Sequence, residues 1–462
     1  AAVGGNEMRY SYATTKITAP ELEIDGVYKL KNSAVTLVTD ASRREKGVHS
    51  IYEFVNLGWD DTYFLDITCR TDWSSTLHPT KWSYTYPSVS ASVLLDKALK
   101  INTPYVNMLK VRASWANVGN DTSPYSLYDA YSKTSLPGGF TLPSTLKDAY
   151  INPENVESWE VGFEGKFLSN RLNFDVALYK NTTTDQILGV SQSSETGATK
   201  VMMNAGRVEN KGIEISFRLR PVQTRDLLWE INGNWARNKN KLCELNEGWD
   251  PSTPLQTSMG VTIGSRTFVY SYIGEEMHWI YGRDYVRAPK SSTYTDENGT
   301  VIDCSGMPII DPKTGYPSLI EDPNQRIAKV NPDWKAGFGT SVRYKNLSFS
   351  AQFTAQMGGN SFSVTNFALS YQGKLKNSLP GREDGLVLKG VNAVDNGDGT
   401  VSYNRNNTIT ENVYIYYNKY QWVRDNTKAN TFSTDFLKLK EVRLDYRFPE
   451  KWMRKTGFLR SA

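Results

Sequence analysis

The side chains that stand out in this sequence suit binding better than bond breaking. Cys69, Cys243 and Cys304 are the only cysteines; they are odd in number, far apart, and form neither a CxxC pair nor a metal-ligand spacing. His49, His78 and His278 also stand apart, so a histidine-based metal or catalytic cluster lacks its parts. Asp395-Asn396-Gly397-Asp398-Gly399 has part of the composition of a calcium loop, without the full ligand spacing or the closing Glu. A plain turn and a weak Ca2+ site both remain open there. No nucleophile–base–acid set is recognisable, and carboxylate pairs cannot be argued across strands of unknown spacing. The chain is therefore not read as an enzyme. Trp249, Trp279, Tyr281 and Tyr285 fall in polar stretches. Their rings could stack on sugars or peptides, or simply pack a loop.

The elements that would position such groups are strands. In 157–167, Trp159, Val161, Phe163 and Phe167 alternate with Glu160, Gly162, Glu164 and Lys166. After the tight link Ser169-Asn170, Leu172, Phe174, Val176 and Leu178 alternate with Asn173, Asp175, Ala177 and Tyr179. Further on, Ile213, Ile215, Phe217 and Leu219 oppose Glu214, Ser216, Arg218 and Arg220. Period two places successive side chains on opposite faces of a sheet. The pattern predicts strands near 26–31, 33–39, 48–57, 61–70, 84–95, 106–116, 157–167, 172–180, 206–220, 227–237, 332–344, 347–357 and 433–448, with an earlier one near 9–19.

The links alternate between short, as at Gly58–Asp60 and Lys345-Asn346, and long, as at 117–156, 238–331 and 358–432. Short turns at one end and long loops at the other are the mark of an outer-membrane barrel, whose long side faces outward. The two longest segments must hold local structure, because long structureless loops are uncommon. Asp66, Arg70, Asp72, Glu160, Glu164 and Arg218 fall on the polar face, a candidate lumen wall that could also meet a plug or a substrate.

Mean hydropathy is −0.50, and no stretch approaches the ~20 apolar residues of a spanning helix. Barrel strands escape such a search because only alternate residues meet lipid. The 27 Tyr and 12 Trp suit membrane interfaces, although a large aromatic-rich sandwich would share that composition. A net charge of +4 without a basic stripe gives no reason to invoke nucleic acid.

Several stretches together resemble the SusC/RagA class of TonB-dependent outer-membrane transporters. Asn152-Pro153-Glu154-Asn155-Val156-Glu157-Ser158-Trp159-Glu160-Val161-Gly162 is similar to a strand entry of that class. Asn204-Ala205-Gly206-Arg207-Val208-Glu209-Asn210-Lys211-Gly212-Ile213-Glu214 is similar to its signature strand. Arg70, Asp72, Ser74 and Ser75 match another strand of the class, with Trp73 where Gly is usual. Tyr86-Pro87-Ser88-Val89-Ser90, the run from Lys110 to Asn120, Val330-Asn331-Pro332-Asp333-Trp334 and Phe436-Leu437-Lys438-Leu439 add to the resemblance in the same order.

The resemblance implies an all-β, transmembrane antiparallel β-barrel, with this sequence supplying about 13 of the 22 strands of such transporters. By that reading 1–462 is a partial barrel, and the plug, the TonB-contacting N-terminal segment and the last strands lie elsewhere; Arg460-Ser461-Ala462 lacks the terminal aromatic of a closing strand. It also implies TonB-driven import of oligosaccharides or peptides, a SusD-like surface lipoprotein as lid, and contact with outer-membrane lipid. Asn204, Gly206, Asn210 and Gly212 read as structural, Gly212 suiting a bulge or a close backbone approach within a strand. A passive porin-like barrel is the alternative reading.

Overall fold

The computed structural model describes residues 1–134, 136, 138–191, 195, 197–246, 249–258, 267–410, 412–421, 426–449 and 452–453. Arg460-Ser461-Ala462 lies outside the described residues. The chain divides into two compact units, residues 1–220 with 240–249, and residues 221–239 with 250–462.

The first unit is a meander of long strands, each antiparallel to the next. They are β1 (Ala2–Thr18), β2 (Val38–Trp59), β3 (Tyr63–Ser74), β4 (Ser83–Leu94), β5 (Val106–Asn120), β6 (Glu154–Phe167), β7 (Leu172–Thr184) and β8 (Arg207–Gln223, of which 221–223 belong to the second unit). Phe163 lies opposite Val176, and Val176 opposite Ile215; Glu164 lies opposite Asp175, and Asp175 opposite Ser216. Apolar residues thus stack on one face and polar residues on the other, because one register governs the whole set. Asp60 and Asp61, both with positive φ, close the β2–β3 hairpin. Leu168, Ser169 and Asn170, also with positive φ, close the β6–β7 hairpin.

The second unit holds β9 (Leu227–Glu244, of which 240–244 belong to the first unit), β10 (Trp334–Tyr344), β11 (Leu347–Met357) and β12 (Phe436–Tyr446), again paired in sequence order. The long connections are built rather than slack. A four-stranded sheet joins Leu255–Ser258, Phe268–Ser271, Trp279–Gly282 and Gln325–Lys329. A helix, Val364–Tyr371, starts at Ser363, whose side chain accepts from the Asn366 N–H. Ala288, Cys304 and Val391 form a buried core packed by Tyr294, Met307 and Tyr403, so the segments after β9 and after β11 fold into one body. Among the described residues no helix is long and apolar enough to cross a membrane.

Two expected strands are absent. Residues 26–31 and 33–37 fall in the β1–β2 connection, which carries a 3-10 turn at Leu30–Asn32, and only residues 38 and 39 of the second expected strand are extended, as the start of β2. The Asn32 amide donates to the carbonyls of Ile24 and Val27 at 2.8 and 2.9 Å, using up groups that a ladder would need. Among the described residues the long strands therefore number twelve against the thirteen or so expected, and β1 begins at Ala2 rather than near residue 9. β9 also runs on to Glu244, so its loop starts several residues later than 238.

Candidate functional site

The polar face of the first unit carries three clusters. In the first, Arg70 Nε donates to Asp72 at 2.7 Å and Arg70 Nη2 to Ser50 Oγ at 2.9 Å, while the Tyr86 hydroxyl donates to Asp72. Asp72 is only 6% exposed, so these partners offset the cost of burying its charge. In the second, Arg112 on β5 donates from two nitrogens to Asp175 on β7 and from Nε to Glu160 on β6 at 3.3 Å. The third joins Lys46 to Asp121 at 2.6 Å, with Ser74 donating to the same carboxylate.

Asp66 stands apart from the first cluster and accepts from Asn56 at 2.5 Å. Glu164 pairs with Lys166 at 3.3 Å, and Arg218 lies opposite Asn173 on this face. Sequence reasoning left out the roles of Arg112, Ser50 and Tyr86. The alternation of Lys110, Arg112 and Ser114 with Val111, Ala113 and Trp115 carried the signal for Arg112, but partner choice needed the register.

The opposite face explains why the strands are long. Its apolar run on β6 ends at Trp159, whose ring lies 6.3 Å from that of Trp115. Both indole N–H groups donate to Glu157, at 2.9 and 3.1 Å. Level with Trp159 on the same face, Lys180 and Lys211 both pair with Glu209. From Phe167 to Trp159 the strand climbs roughly 27 Å, or roughly 20 Å along the normal of a bilayer it crosses at about 40°. That is close to the apolar band of a membrane barrel, with its aromatic girdle and charged residues at its edge.

The signature residues lie where strands meet their connections or face a neighbouring strand. The Asn204 side chain accepts from the Asn152 N–H at 2.6 Å and donates to the carbonyls of Asn152 and Asp185 at 2.9 and 2.7 Å. It ties the entry of β6 to the exit of β7. Gly206 has φ +97°, and a Cβ there would meet the Glu244 carbonyl at 3.0 Å. Asn210 lies opposite Asn181 on β7. Gly212 corrects one expectation: the β7–β8 register is unbroken there, so no bulge exists. The close approach is a side chain rather than backbone, for the Tyr179 ring covers Gly212 where a Cβ would stand 2.3 Å away.

The loop aromatics separate into two kinds. Tyr281 and Tyr285 are 5% and 8% exposed and pack the loop body of the second unit. Burial pushes the Tyr285 phenol well above its ordinary pKa. Trp279 is half-buried, with the Arg326 guanidinium 4.7 Å from its ring centre, and Arg326 also donates to the Tyr281 hydroxyl and to Glu275. Trp249, in the first unit, is half-buried, and its backbone N–H donates to the Asn246 carbonyl. Asp395–Gly399 is the tip of the hairpin Val391–Asp395/Val401–Arg405. There Asp395 accepts from the Gly397 N–H, and Asp398 from the Thr400 N–H and hydroxyl. Thr400 thereby holds Asp398 below the ordinary carboxylate range. Among the described residues no group of three or more His, Cys, Asp or Glu could hold a metal ion.

An antiparallel meander with one charged face and one apolar, aromatic-edged face is the wall of a membrane-spanning β-barrel. The chain belongs to the family described as "TonB dependent receptor-like, beta-barrel", whose profile it matches over residues 3–377, and it is an outer-membrane protein similar to SusC. It is 23% identical over 440 residues to TonB-dependent receptor P3 of Formosa agariphila, covering 93% of this chain and 41% of that protein. It is 24% identical over 341 residues to TonB-dependent receptor SusC of Bacteroides thetaiotaomicron, covering 69% and 32%. The solved structure of the RagAB peptide importer in its closed-closed state superposes with a TM-score of 0.71 at 18% identity, over 99% of this chain and 48% of that one, a likeness of fold. The chain spans less than half the length of these relatives. Their names are those of receptors and transporters, and none is an enzyme.

Proposed function

We propose that this chain is the wall and outer loop body of a TonB-dependent importer of oligomeric nutrients, either glycan oligosaccharides or peptides. The observation that carries the reading is a charged strand face in a chain whose long connections, all on one side by parity, are folded. The polar face with Arg70, Asp72, Glu160, Glu164 and Arg218 serves as the lumen wall, against which a plug from elsewhere in the protein would rest. The connections 121–153, 245–333 and 358–435 face outward and receive cargo. A surface lipoprotein of the SusD type closes over them, and energy comes from TonB. One related structure is named as a peptide importer and one relative as SusC, so both cargo classes have a neighbour in the family.

The test is uptake of labelled oligosaccharides and peptides by cells with and without the gene, before and after collapse of the proton-motive force. Uptake should need both the gene and the force. Uptake that survives collapse would instead identify a passive barrel. Purification under mild detergent should bring down a lipoprotein, and large deletions within 245–333 or 358–435 should release it while the barrel still assembles. Retention of the lipoprotein by both deletions would remove the lid from the proposal.

A further inference from the structure

Within the second unit, the segment after β11 forms an open cavity of 610 Å3. Its wall includes Ser370, Arg382, Asn412, Tyr414, Tyr417 and Asn418. Three observations point to a ligand. The Ser370 hydroxyl is buried, the residue being 2% exposed, and it has no hydrogen-bond partner among the described residues. A buried hydroxyl left unsatisfied is costly, and Ser370 lines this cavity, where a ligand would satisfy it. The Arg382 guanidinium is held rigid, its Nε donating to the Ser378 carbonyl at 2.9 Å and its Nη2 to the Gly373 carbonyl and Ser378 Oγ at 2.8 and 2.9 Å. Among the described residues no carboxylate pairs with it and no acid lines the cavity, so Nη1 keeps a full charge-assisted donor for an outside anion. Tyr414 is 66% exposed and offers a ring face at the same wall.

We propose that this cavity is a binding site for a saccharide unit that carries a carboxylate, as a uronic acid does. Arg382 takes the carboxylate, Ser370 and the carboxamides of Asn412 and Asn418 take ring hydroxyls, and Tyr414 covers a sugar face. Hydroxyl-rich sugars both donate and accept, which this mixture of amides, hydroxyls and one cation matches. A peptide would want apolar pockets for its side chains or a free strand edge. Among the described residues the only aliphatic wall residue is Val413, and the neighbouring strand Leu386–Val387 is already paired with Ile409–Thr410. The proposal deepens the import reading by naming the cargo class, and it is tested by binding alone, so that its failure leaves import untouched.

The experiment is calorimetry on the full-length transporter in detergent, with trigalacturonate, trimannuronate, maltotriose and trialanine as probes. At least one uronate should bind, and bind better than maltotriose. Arg382→Gln and Ser370→Ala should each weaken that binding about tenfold, the loss of one good hydrogen bond to the ligand. Ser370→Ala should do so without lowering the thermal midpoint, because it removes a hydroxyl that has no partner in the protein. Tyr414→Ala should weaken binding a few-fold while leaving the fold intact. Neither uronate binding, uronate binding that Arg382→Gln and Ser370→Ala leave unchanged, or tighter binding of trialanine would each overturn the assignment.

Discussion

The guanidinium of Arg112 reaches across an intervening strand to hold Asp175, its Nη1 and Nη2 donating at 2.5 and 3.0 Å. The side chain lies over Gly162 of β6, where a Cβ would stand 2.3 Å from its Cζ. Gly162→Ala should therefore evict the guanidinium without displacing backbone. The two side chains are 29% and 36% exposed, so the pair contributes about 1 kcal/mol rather than the several of a buried one. Arg112→Gln and Gly162→Ala are each expected to lower the thermal midpoint by a similar few degrees, and the double variant no further. Full additivity would mean that the glycine and the ion pair are independent.

The register of β6 can be tested by moving one charge by one residue. Phe163 stands on the apolar face opposite Val176, and Glu164 on the polar face opposite Asp175. Arginine at mid-depth on a lipid face costs about 2–4 kcal/mol. Phe163→Arg should abolish the heat-modifiable band of the assembled barrel, and Glu164→Arg should leave it. Equal assembly of the two variants would refute the facing.

Asn204 predicts an asymmetry between isosteres. Its amide nitrogen donates to two carbonyls, while its oxygen accepts from Asn152. Asn204→Asp keeps the acceptor and turns a carboxylate oxygen toward the two carbonyls. It should cost about 1–3 kcal/mol and expose the 185–206 connection to protease. Protection as complete as in the parent protein would show that the tie does not hold the loop.

His278 predicts a pH response in the loop body. Burial holds its imidazole below the ordinary value. The neutral ring is favoured in the folded state, so its contribution to stability is complete above the ordinary pKa. As pH falls through that value and on through the folded one, the unfolded state takes the proton first and stability drains away. Trypsin should cut the 268–331 region faster at about pH 5 than at about pH 7.5. His278→Asn, which tolerates the positive φ at this position, should flatten the response. A parent protein whose cleavage is independent of pH would contradict the assignment.

Strand register was legible wherever one face is apolar. From Trp159 through Phe217, period two alone placed Phe163, Val176 and Ile215 on one side. It failed in the first part of β2, where Thr39 to Lys46 is polar on both faces, so that a strand with full ladder pairing to β1 leaves no alternation to read. The short alternation in 26–39 then looked like strand, although Asn32 spends its amide on local carbonyls. The charged residues of the polar face could be assigned to that face by parity, but not to partners. Arg112 passes over one strand to the next because Gly162 leaves room, a relation set by three strands at once. Ser370 and Arg382 belong to a cavity made by residues more than thirty positions apart, in a segment without periodicity.

The alternation of connection lengths also orders the making of the wall. The β2–β3, β6–β7 and β10–β11 hairpins close through turns of a few residues, so each can zip as a local unit at little cost in chain entropy. The β9–β10 pairing spans a connection from 245 to 333 and must wait for distant segments to meet. Assembly by prefabricated hairpins follows, each delivering two strands already in register. The folded outer segments shorten the effective reach between hairpins, so their own core around Cys304 becomes a kinetic determinant of how fast the wall is completed.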